Sequence, residues 1–180
     1  MAGRTGLPWS SLLRLDAVKR IEKILARRGL GLGYVDAFSG ELRPPRPQTG
    51  LCALVQSREA GEVACAATAT ETLRRLRARG ESGDRALGCI ATVCHAGIIE
   101  VAAPIMVAGE VVGGLLAGGF HVVGEHDPDV ILAALPQRTH ALALAPGELA
   151  ATARRHPWLP RHEIASVEEL LEAAADEVSS

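Results

Sequence analysis

Aromatic residues are scarce in this sequence, at 3% of its 180 residues. Proteins that bind single-stranded nucleic acids use aromatic rings as stacking platforms for the bases, so that class of function is not expected. The formal net charge is −2 and no basic stripe runs along the chain, whereas proteins that follow a phosphate backbone carry one. We therefore predict that the protein has no nucleic-acid partner.

Long apolar runs are also absent. No uninterrupted apolar stretch approaches the ~18–20 residues that a membrane-spanning helix requires. The first residues, MAGRTGLPWSS, lack the apolar core and the small-residue cleavage site of a secretory signal. We therefore expect a cytoplasmic protein with no membrane partner. In that reducing compartment the four cysteines are not expected to form structural disulfides, and metal binding, redox chemistry and simple packing stay open.

Signatures of catalysis are missing as well, since the sequence contains no GxSxG, HExxH, P-loop or dinucleotide-binding motif. Cys94 and His95 are neighbours in a predicted strand, where adjacent side chains point to opposite faces, so regular geometry rules out a thiolate–imidazole pair. The other histidines show no ligand spacing, and we interpret each as a surface or loop residue: His121, His126, His140, His156 and His162. We therefore predict that the protein is not an enzyme.

A chain of this length is sufficient for one domain with a buried core. The spacing of apolar residues and the positions of glycine and proline predict five helices, over residues 17–28, 57–79, 128–135, 146–155 and 167–178. We expect Asp16 and Asp127 to cap the first and third of these helices. The capping box that begins at Ser166 is expected to open the last.

Four strands are predicted, over residues 31–35, 87–94, 98–107 and 110–119. The proline-rich stretch 43–50 is predicted to be a loop. Ala108-Gly109 has the composition of a hairpin turn between the last two strands. Pro104 has no backbone donor, so its strand should lie at an edge of the sheet or carry a bulge there.

This order of elements predicts an α+β fold, a PAS/GAF-like antiparallel sheet with helices packed on one side. We expect a single domain over residues 11–178, preceded by an N-terminal extension over residues 1–10. A sheet of this kind leaves a cavity between its concave face and the helices, where a small molecule fits. The glycine pairs 113–114 and 118–119 remove side chains where another backbone or a ligand approaches.

The cysteines lack the CxxC spacing of a strong metal motif, and free cysteines commonly behave as small buried hydrophobic residues. Alternation along the strand puts Cys89 and Cys94 on opposite faces. Cys65 faces the core from its helix, and Cys52 lies in a loop that can reach it. The most economical cluster is therefore Cys52, Cys65 and Cys94, and His95 completes it only if the strand has already turned.

Glu100 stands among apolar residues, in IIEVAAPI. An acid in that position lies either on a solvated face or inside a pocket, and both interpretations stay open. Alternation groups Glu100 with Met106 in an otherwise apolar set that can line a cavity.

At these residues the chain resembles the PocR sensory-domain family. The resemblance is carried by VCHAGIIEVAAPIMVAGEVVGGLLAGG, residues 93–119, preceded by the widely spaced Cys52 and Cys65. It implies a PAS-like ligand-binding fold of bacterial signalling proteins, thought to sense small hydrocarbon-derived metabolites and usually fused to DNA-binding or histidine-kinase modules. The cysteine pattern of that family falls on Cys52, Cys65 and Cys94, followed by His95, and Cys89 is an addition of this sequence.

The resulting hypothesis is a non-enzymatic sensor. A small organic ligand is expected near Glu100, Met106 and the pair Gly113-Gly114. Cys52, Cys65, Cys94 and His95 are expected to hold zinc or an iron–sulfur cluster, or the thiols to act as a redox switch.

The last predicted helix, residues 167–178, is the expected exit for the signal, toward a partner protein or a second copy of the chain. Because no kinase, receiver or helix-turn-helix segment follows it, the chain is expected to be a lone sensor or an excised module. The alternative hypothesis is a zinc-braced module that binds a protein through its surface.

Overall fold

The computed structural model describes residues 8–45, 50–81, 88–124 and 127–180. Its helices are α1 (Trp9–Leu12), α2 (Asp16–Arg27), α3 (Leu51–Gln56), α4 (Glu59–Glu81), α5 (Pro128–Arg138), α6 (Pro146–Ala153) and α7 (Arg161–Ser179). Its strands are β1 (Gly31–Asp36), β2 (Leu42–Arg43), β3 (Ile90–Val93), β4 (Ile99–Val107), β5 (Glu110–Val122) and β6 (Trp158–Leu159). The predicted α+β class and single domain are confirmed.

The sheet has the strand order β2-β1-β5-β4-β3, and its neighbouring strands are antiparallel. The short strand β6 adds to β5 in parallel. β4 and β5 form the predicted hairpin, whose turn has positive φ at both Ala108 (51°) and Gly109 (81°), as a two-residue turn matched to the strand twist requires.

Helices cover both faces of the sheet, so the prediction of helices on one side is wrong. Val101, Ala103 and Ile105 share a buried cluster with residues of α2 and α7. Ala102 lies on the opposite face, in a cluster with Leu76 of α4. A strand buried on both faces reads as a continuous apolar run rather than an alternation, and β4 and β5 have that composition.

A third apolar cluster lies at the end of the sheet where β3 runs into β4. Residues of α3, α5 and α6 meet there, and the partly buried Cys52, Cys65 and Cys94 pack against them. Cys52 lies in the first turn of α3, so its predicted loop position is wrong. This layer positions the site described below.

Several predicted helix starts are displaced. The predicted cap Asp16 is the first residue of α2, and Leu15 precedes it as the cap. α7 begins directly after Pro160, and Ser166 lies inside it with its hydroxyl donating to the carbonyl of His162 (3.1 Å). Proline fixes an extended entry into a helix, which takes precedence over the capping box. The cap predicted at Asp127 is confirmed, since its carboxylate accepts from the N–H of Asp129 (2.8 Å).

Pro104 pairs with Gly114 of β5, and the pairing of the described part of β3 stops at Ala102. β4 lies between β5 and β3, so the predicted edge strand is wrong, although Pro104 lies beyond the part of β4 that pairs with the described β3 residues. The nearest bulge falls between Ile105 and Met106. Parts of the predicted loop 43–50 and strand 87–94, and His126, lie outside the described residues. No helix in the described part of the chain is long and apolar enough to cross a membrane.

Candidate functional site: a cavity lined by three thiols

Three cysteines from separate elements line one small cavity of about 30 Å³, which we call the thiol cavity. Cys52 comes from α3, Cys65 from α4, and Cys94 from the residue after β3. The remaining lining residues are Pro44, Pro45, Gln56, Thr68, Ile98, Ile99, Glu100, Gly118 and Gly119. The grouping of these three cysteines, without Cys89, agrees with the expected alternation of side chains along the strand, which puts Cys89 and Cys94 on opposite faces.

Backbone geometry brings two of these thiols inward. The N–H of Cys94 donates to the carbonyl of Ile98 (2.8 Å) and the N–H of Gly97 to the carbonyl of Cys94 (2.9 Å), so a tight turn fixes Cys94 at the strand end. The Sγ of Cys52 packs against the backbone of Gly119, in space that a side chain would otherwise occupy. A Cβ on Gly119 would stand 2.6 Å from this Sγ. Any larger residue at position 119 would displace that thiol.

Glu100 lies in the thiol cavity, so the pocket interpretation holds and the solvated one does not. Its side chain is 9% exposed, and β4 has a bulge between Ile99 and Glu100. One carboxylate oxygen lies 3.4 Å from the hydroxyl of Thr72, which lies 3.3 Å from that of Thr92. Arg75 donates to the Thr92 hydroxyl (3.1 Å), so a chain of hydroxyl groups connects the buried acid to an exposed arginine.

Burial controls the ionisation of the groups in the cavity. It raises the pKa of Glu100 to about 7, against the smaller lowering effect of the Thr72 hydrogen bond. Burial also raises the pKa of Cys52 well above its ordinary value, with further contributions from Cys94, Cys65 and Glu100. The pKa of Cys94 is raised for the same reason, although the backbone N–H groups of its turn oppose the effect. These two thiols are therefore protonated at neutral pH.

His95, the predicted fourth metal ligand, is not part of the lining. Both of its ring nitrogens are buried and have no hydrogen-bond partner among the described residues, and burial lowers its pKa. In the part of the chain that the structure describes, no three His, Cys, Asp or Glu side chains are placed to hold a metal ion. Three thiols suit a thiophilic metal by donor type, but they would have to move together to ligate one.

The predicted ligand residues Met106, Gly113 and Gly114 lie toward the other end of the hairpin and do not line the thiol cavity. The N–H of Met106 donates to the Ser179 hydroxyl of α7 (2.9 Å). A Cβ on Gly113 would stand 2.7 Å from the Val35 carbonyl oxygen, so this glycine permits close packing of strands. Of the four predicted residues, the structure brings only Glu100 to the thiols.

Two buried histidines were not anticipated. His121 and His156 are 1% and 2% exposed, and their rings meet edge to face at 5.3 Å, with Trp158 beside His121. His121 lies in β5, so its interpretation as a surface or loop residue is wrong. His156 lies in the loop between α6 and β6, as that interpretation allows, but it is buried. His140 and His162 are exposed as expected. Two signals in the sequence were available. His121 lies in the apolar run GGFHVV, which is typical of a buried strand, and His156 is followed by proline in RHPW.

The tautomer of His156 follows from the hydrogen bond that its ring makes among the described residues. The N–H of Leu51 donates to Nδ1 of His156 (3.3 Å), so in the neutral ring the proton is on Nε2. Nε2 has no partner among the described residues and lies 3.7 Å from the position of a Cβ on Gly119. Burial, with a contribution from His121, lowers the pKa of His156 to about 3, and the ring is therefore neutral.

Larger grooves lie on the surface, away from the cysteines. One of about 700 Å³ runs along the end of α2 and is lined in part by Trp9, Lys23 and Arg43. Another of about 250 Å³ lies between α2 and α7. Neither brings together buried polar groups, which distinguishes the thiol cavity from them.

Comparison with known proteins adds a family. A family model described as the sensory domain found in PocR matches residues 12–180. No curated protein matches the chain. Among solved structures, an IclR homologue from Microbacterium hydrocarbonoxydans complexed with 4-hydroxybenzoate is 15% identical, with 81% of this chain and 72% of that chain covered and a TM-score of 0.29. So low a score supports no conclusion about this protein.

Proposed function

Because the chain belongs to the PocR sensory-domain family, we propose that it is a non-enzymatic sensor whose ligand occupies the thiol cavity. The observation that carries this proposal is the meeting of three thiols and the buried Glu100 carboxyl around one cavity. Buried polar groups with shifted pKa values that converge on a cavity are typical of functional sites.

The chemistry of the site favours binding over catalysis. A nucleophilic cysteine needs a lowered pKa or an adjacent base, and burial raises the pKa of Cys52 and of Cys94. His156 lies on the same side of Gly119 as Cys52, but its ring already accepts from the Leu51 N–H. The same raised pKa values weigh against a fast thiol redox switch, because the thiolate is the reactive form.

β4 provides a route from the thiol cavity to α7. Glu100 enters the cavity from one face of β4, and the next residue, Val101, packs on the opposite face in the cluster that contains Val167 and Leu171 of α7. The Cys89 N–H donates to Glu172 Oε1 (2.8 Å), which ties α7 to the start of β3. A ligand that displaces β4 therefore changes the packing of α7, which we propose as the output surface for a partner protein or a second copy.

A metal centre in the same cavity is the second candidate, favoured by the three thiols. Cys52, Cys65 and Cys94 would hold zinc or an iron–sulfur cluster, and the metal would be either the signal or a brace for a protein-binding module. His95 contributes nothing to this set in its described position. Metal analysis on protein purified without oxygen tests this candidate.

Amide hydrogen exchange tests the coupling between cavity and output. Gly118→Ala places a methyl group in the cavity, 2.9 Å from the Cβ of Glu100. We expect faster exchange in α7 than in the wild type, and a smaller change in α5. The matched control is Gly147→Ala, whose new methyl group meets no described atom within 4 Å. Unchanged exchange in α7, or an equal increase in every helix, would contradict the proposed coupling.

A further inference from the structure

We propose that the thiol cavity takes a small positively charged ligand, either a thiophilic divalent metal ion or an ammonium ion, with Glu100 as its counter-charge. This inference rests on the proposed function, since it names the class of ligand for the same cavity. It is carried by the charge, the hydrogen-bonding inventory and the size of the lining.

Glu100 has no counter-charge among the described residues. Glu100 is 9% exposed, and its partner among the described residues is a neutral hydroxyl, that of Thr72. No Lys, Arg or His in the described ranges forms an ion pair with it. Arg75 reaches the carboxylate only through the hydroxyls of Thr92 and Thr72. A buried acid without a cation has a raised pKa, and that of Glu100 is about 7, so a cationic ligand would supply the counter-charge that the ionised carboxylate lacks.

The lining of the thiol cavity offers more acceptors than strong donors. The Thr68 hydroxyl donates to the Ala64 carbonyl (3.1 Å) and the Thr72 hydroxyl lies 3.0 Å from the Thr68 carbonyl. The Gln56 side-chain nitrogen donates to the Pro45 carbonyl (2.7 Å). The Thr68 hydroxyl therefore keeps no free hydrogen, and Gln56 keeps one of its two amide hydrogens. The other groups toward the cavity are carboxyl oxygens, hydroxyl lone pairs and sulfur, with the protonated thiols of Cys52 and Cys94 as weak donors. Acceptors therefore outnumber strong donors. Such a set suits a cation and disfavours an anion.

The size of the cavity also favours a small ion. The cavity volume of about 30 Å³ holds roughly one water molecule. A metal ion or an ammonium ion fits that space, whereas a metabolite with several carbon atoms requires the lining to open. The two cations differ in their use of the cysteines, because a thiophilic metal must displace thiol protons and an ammonium ion need not.

The experiment measures binding to the full chain by calorimetry, with Zn²⁺, Cd²⁺ and methylammonium as separate probes and inorganic phosphate as the anionic control. We expect one of the cations to bind and phosphate not to bind. Glu100→Gln keeps the shape of the side chain and removes its charge, and we expect at least about a tenfold loss of affinity.

Cysteine variants then identify the cation. If the ligand is a metal, Cd²⁺ gives a sulfur-to-metal charge-transfer absorption that is lost in Cys52→Ser and Cys65→Ser and kept in Cys89→Ser. If it is an ammonium ion, all three variants bind methylammonium. The inference is wrong if none of the cations binds, or if Glu100→Gln binds them as tightly as the wild type.

Arg46 follows Pro45 in the sequence and lies outside the described residues, so Arg46→Gln belongs in the set. Cation binding by Arg46→Gln and not by the wild type would mean that the protein's own arginine is the counter-charge, which would also contradict the inference. If Gly118→Ala speeds amide exchange in α7 but no cation binds, the sensor proposal stands and the proposal of a cationic ligand is wrong.

Discussion

Glu100 and Gly118 face each other across β4 and β5, and a Cβ on Gly118 would stand 2.9 Å from the Cβ of Glu100. The glycine therefore leaves room for the Cβ of Glu100 at this point of the sheet. A second glycine, Gly119, leaves the space that Cys52 occupies on the same strand. The thiol cavity depends on these two missing side chains as much as on the groups that line it.

Substitution of Gly118 should cost stability as well as close the cavity. We expect Gly118→Ala to lower the free energy of unfolding by about 1–3 kcal/mol, because a methyl group 2.9 Å from the Cβ of Glu100 forces neighbouring atoms apart. Urea unfolding measures this change. Gly147→Ala should leave stability unchanged or raise it by up to about 1 kcal/mol, since that position is open and helical. A neutral Gly118→Ala would mean that the cavity is wider than described.

Two buried groups should give opposite pH dependences of stability. The pKa of His156 is about 3 in the fold against an ordinary 6.5, so the unfolded chain binds the extra proton and stability falls as pH drops from 6.5 toward 3. The pKa of Glu100 is about 7 against an ordinary 4.5, so the folded chain binds the extra proton and stability falls as pH rises from 4.5 to 7. Each slope is about 1.4 kcal/mol per pH unit within its window.

Between pH 4.5 and 6.5 the two slopes oppose each other, and variants should separate them. In Glu100→Gln the free energy of unfolding should rise with pH over this window, with a smaller contribution of the same sign from His95, whose pKa burial also lowers. In His156→Gln the free energy of unfolding should rise with pH less steeply than in the wild type, or fall. Urea unfolding at pH 4.5, 5.5 and 6.5 measures the slopes. Identical slopes in wild type and Glu100→Gln would show that Glu100 is not ionised differently in the fold.

The cysteines should react slowly in the folded protein. Burial raises the pKa of Cys52, Cys89 and Cys94, and the thiolate is the reactive species. With Ellman's reagent at neutral pH we expect reaction rates far below those of the urea-unfolded chain. A cysteine that reacts as fast in the folded chain as in the unfolded one would favour the redox switch over the ligand site.

The hairpin could be predicted from the sequence because its determinants are local. Ala108-Gly109 between two apolar runs is sufficient to define the turn and the pairing of β4 with β5. The grouping of Cys52, Cys65 and Cys94 could also be predicted, because alternation along a strand separates Cys89 from Cys94 whatever surrounds them. Cys89 indeed packs on the α7 side, with its Sγ 3.6 Å from the Glu168 carbonyl oxygen.

Features set by distant parts of the chain were less predictable. The burial of Glu100 depends on α4, whose Thr72 is 28 residues away, and the sequence left its environment open. The burial of His156 depends on a hydrogen bond from Leu51, 105 residues away, for which no local pattern exists. The spacing of apolar residues predicts that a helix has a buried face. It does not say on which side of the sheet that helix packs, so the helices on both faces could not be predicted.

The most direct test of the thiol cavity as a ligand site coupled to α7 is to fill it covalently and measure amide exchange in α7. Methyl methanethiosulfonate converts a thiol to its methyl disulfide with release of methanesulfinic acid, and mass spectrometry counts the groups added. The Cys89→Ser background restricts labelling to Cys52, Cys65 and Cys94, and long incubation allows for their slow reaction. We predict faster exchange in α7 of labelled protein, with α5 less affected. Labelled protein whose α7 exchanges at the unlabelled rate would contradict the account.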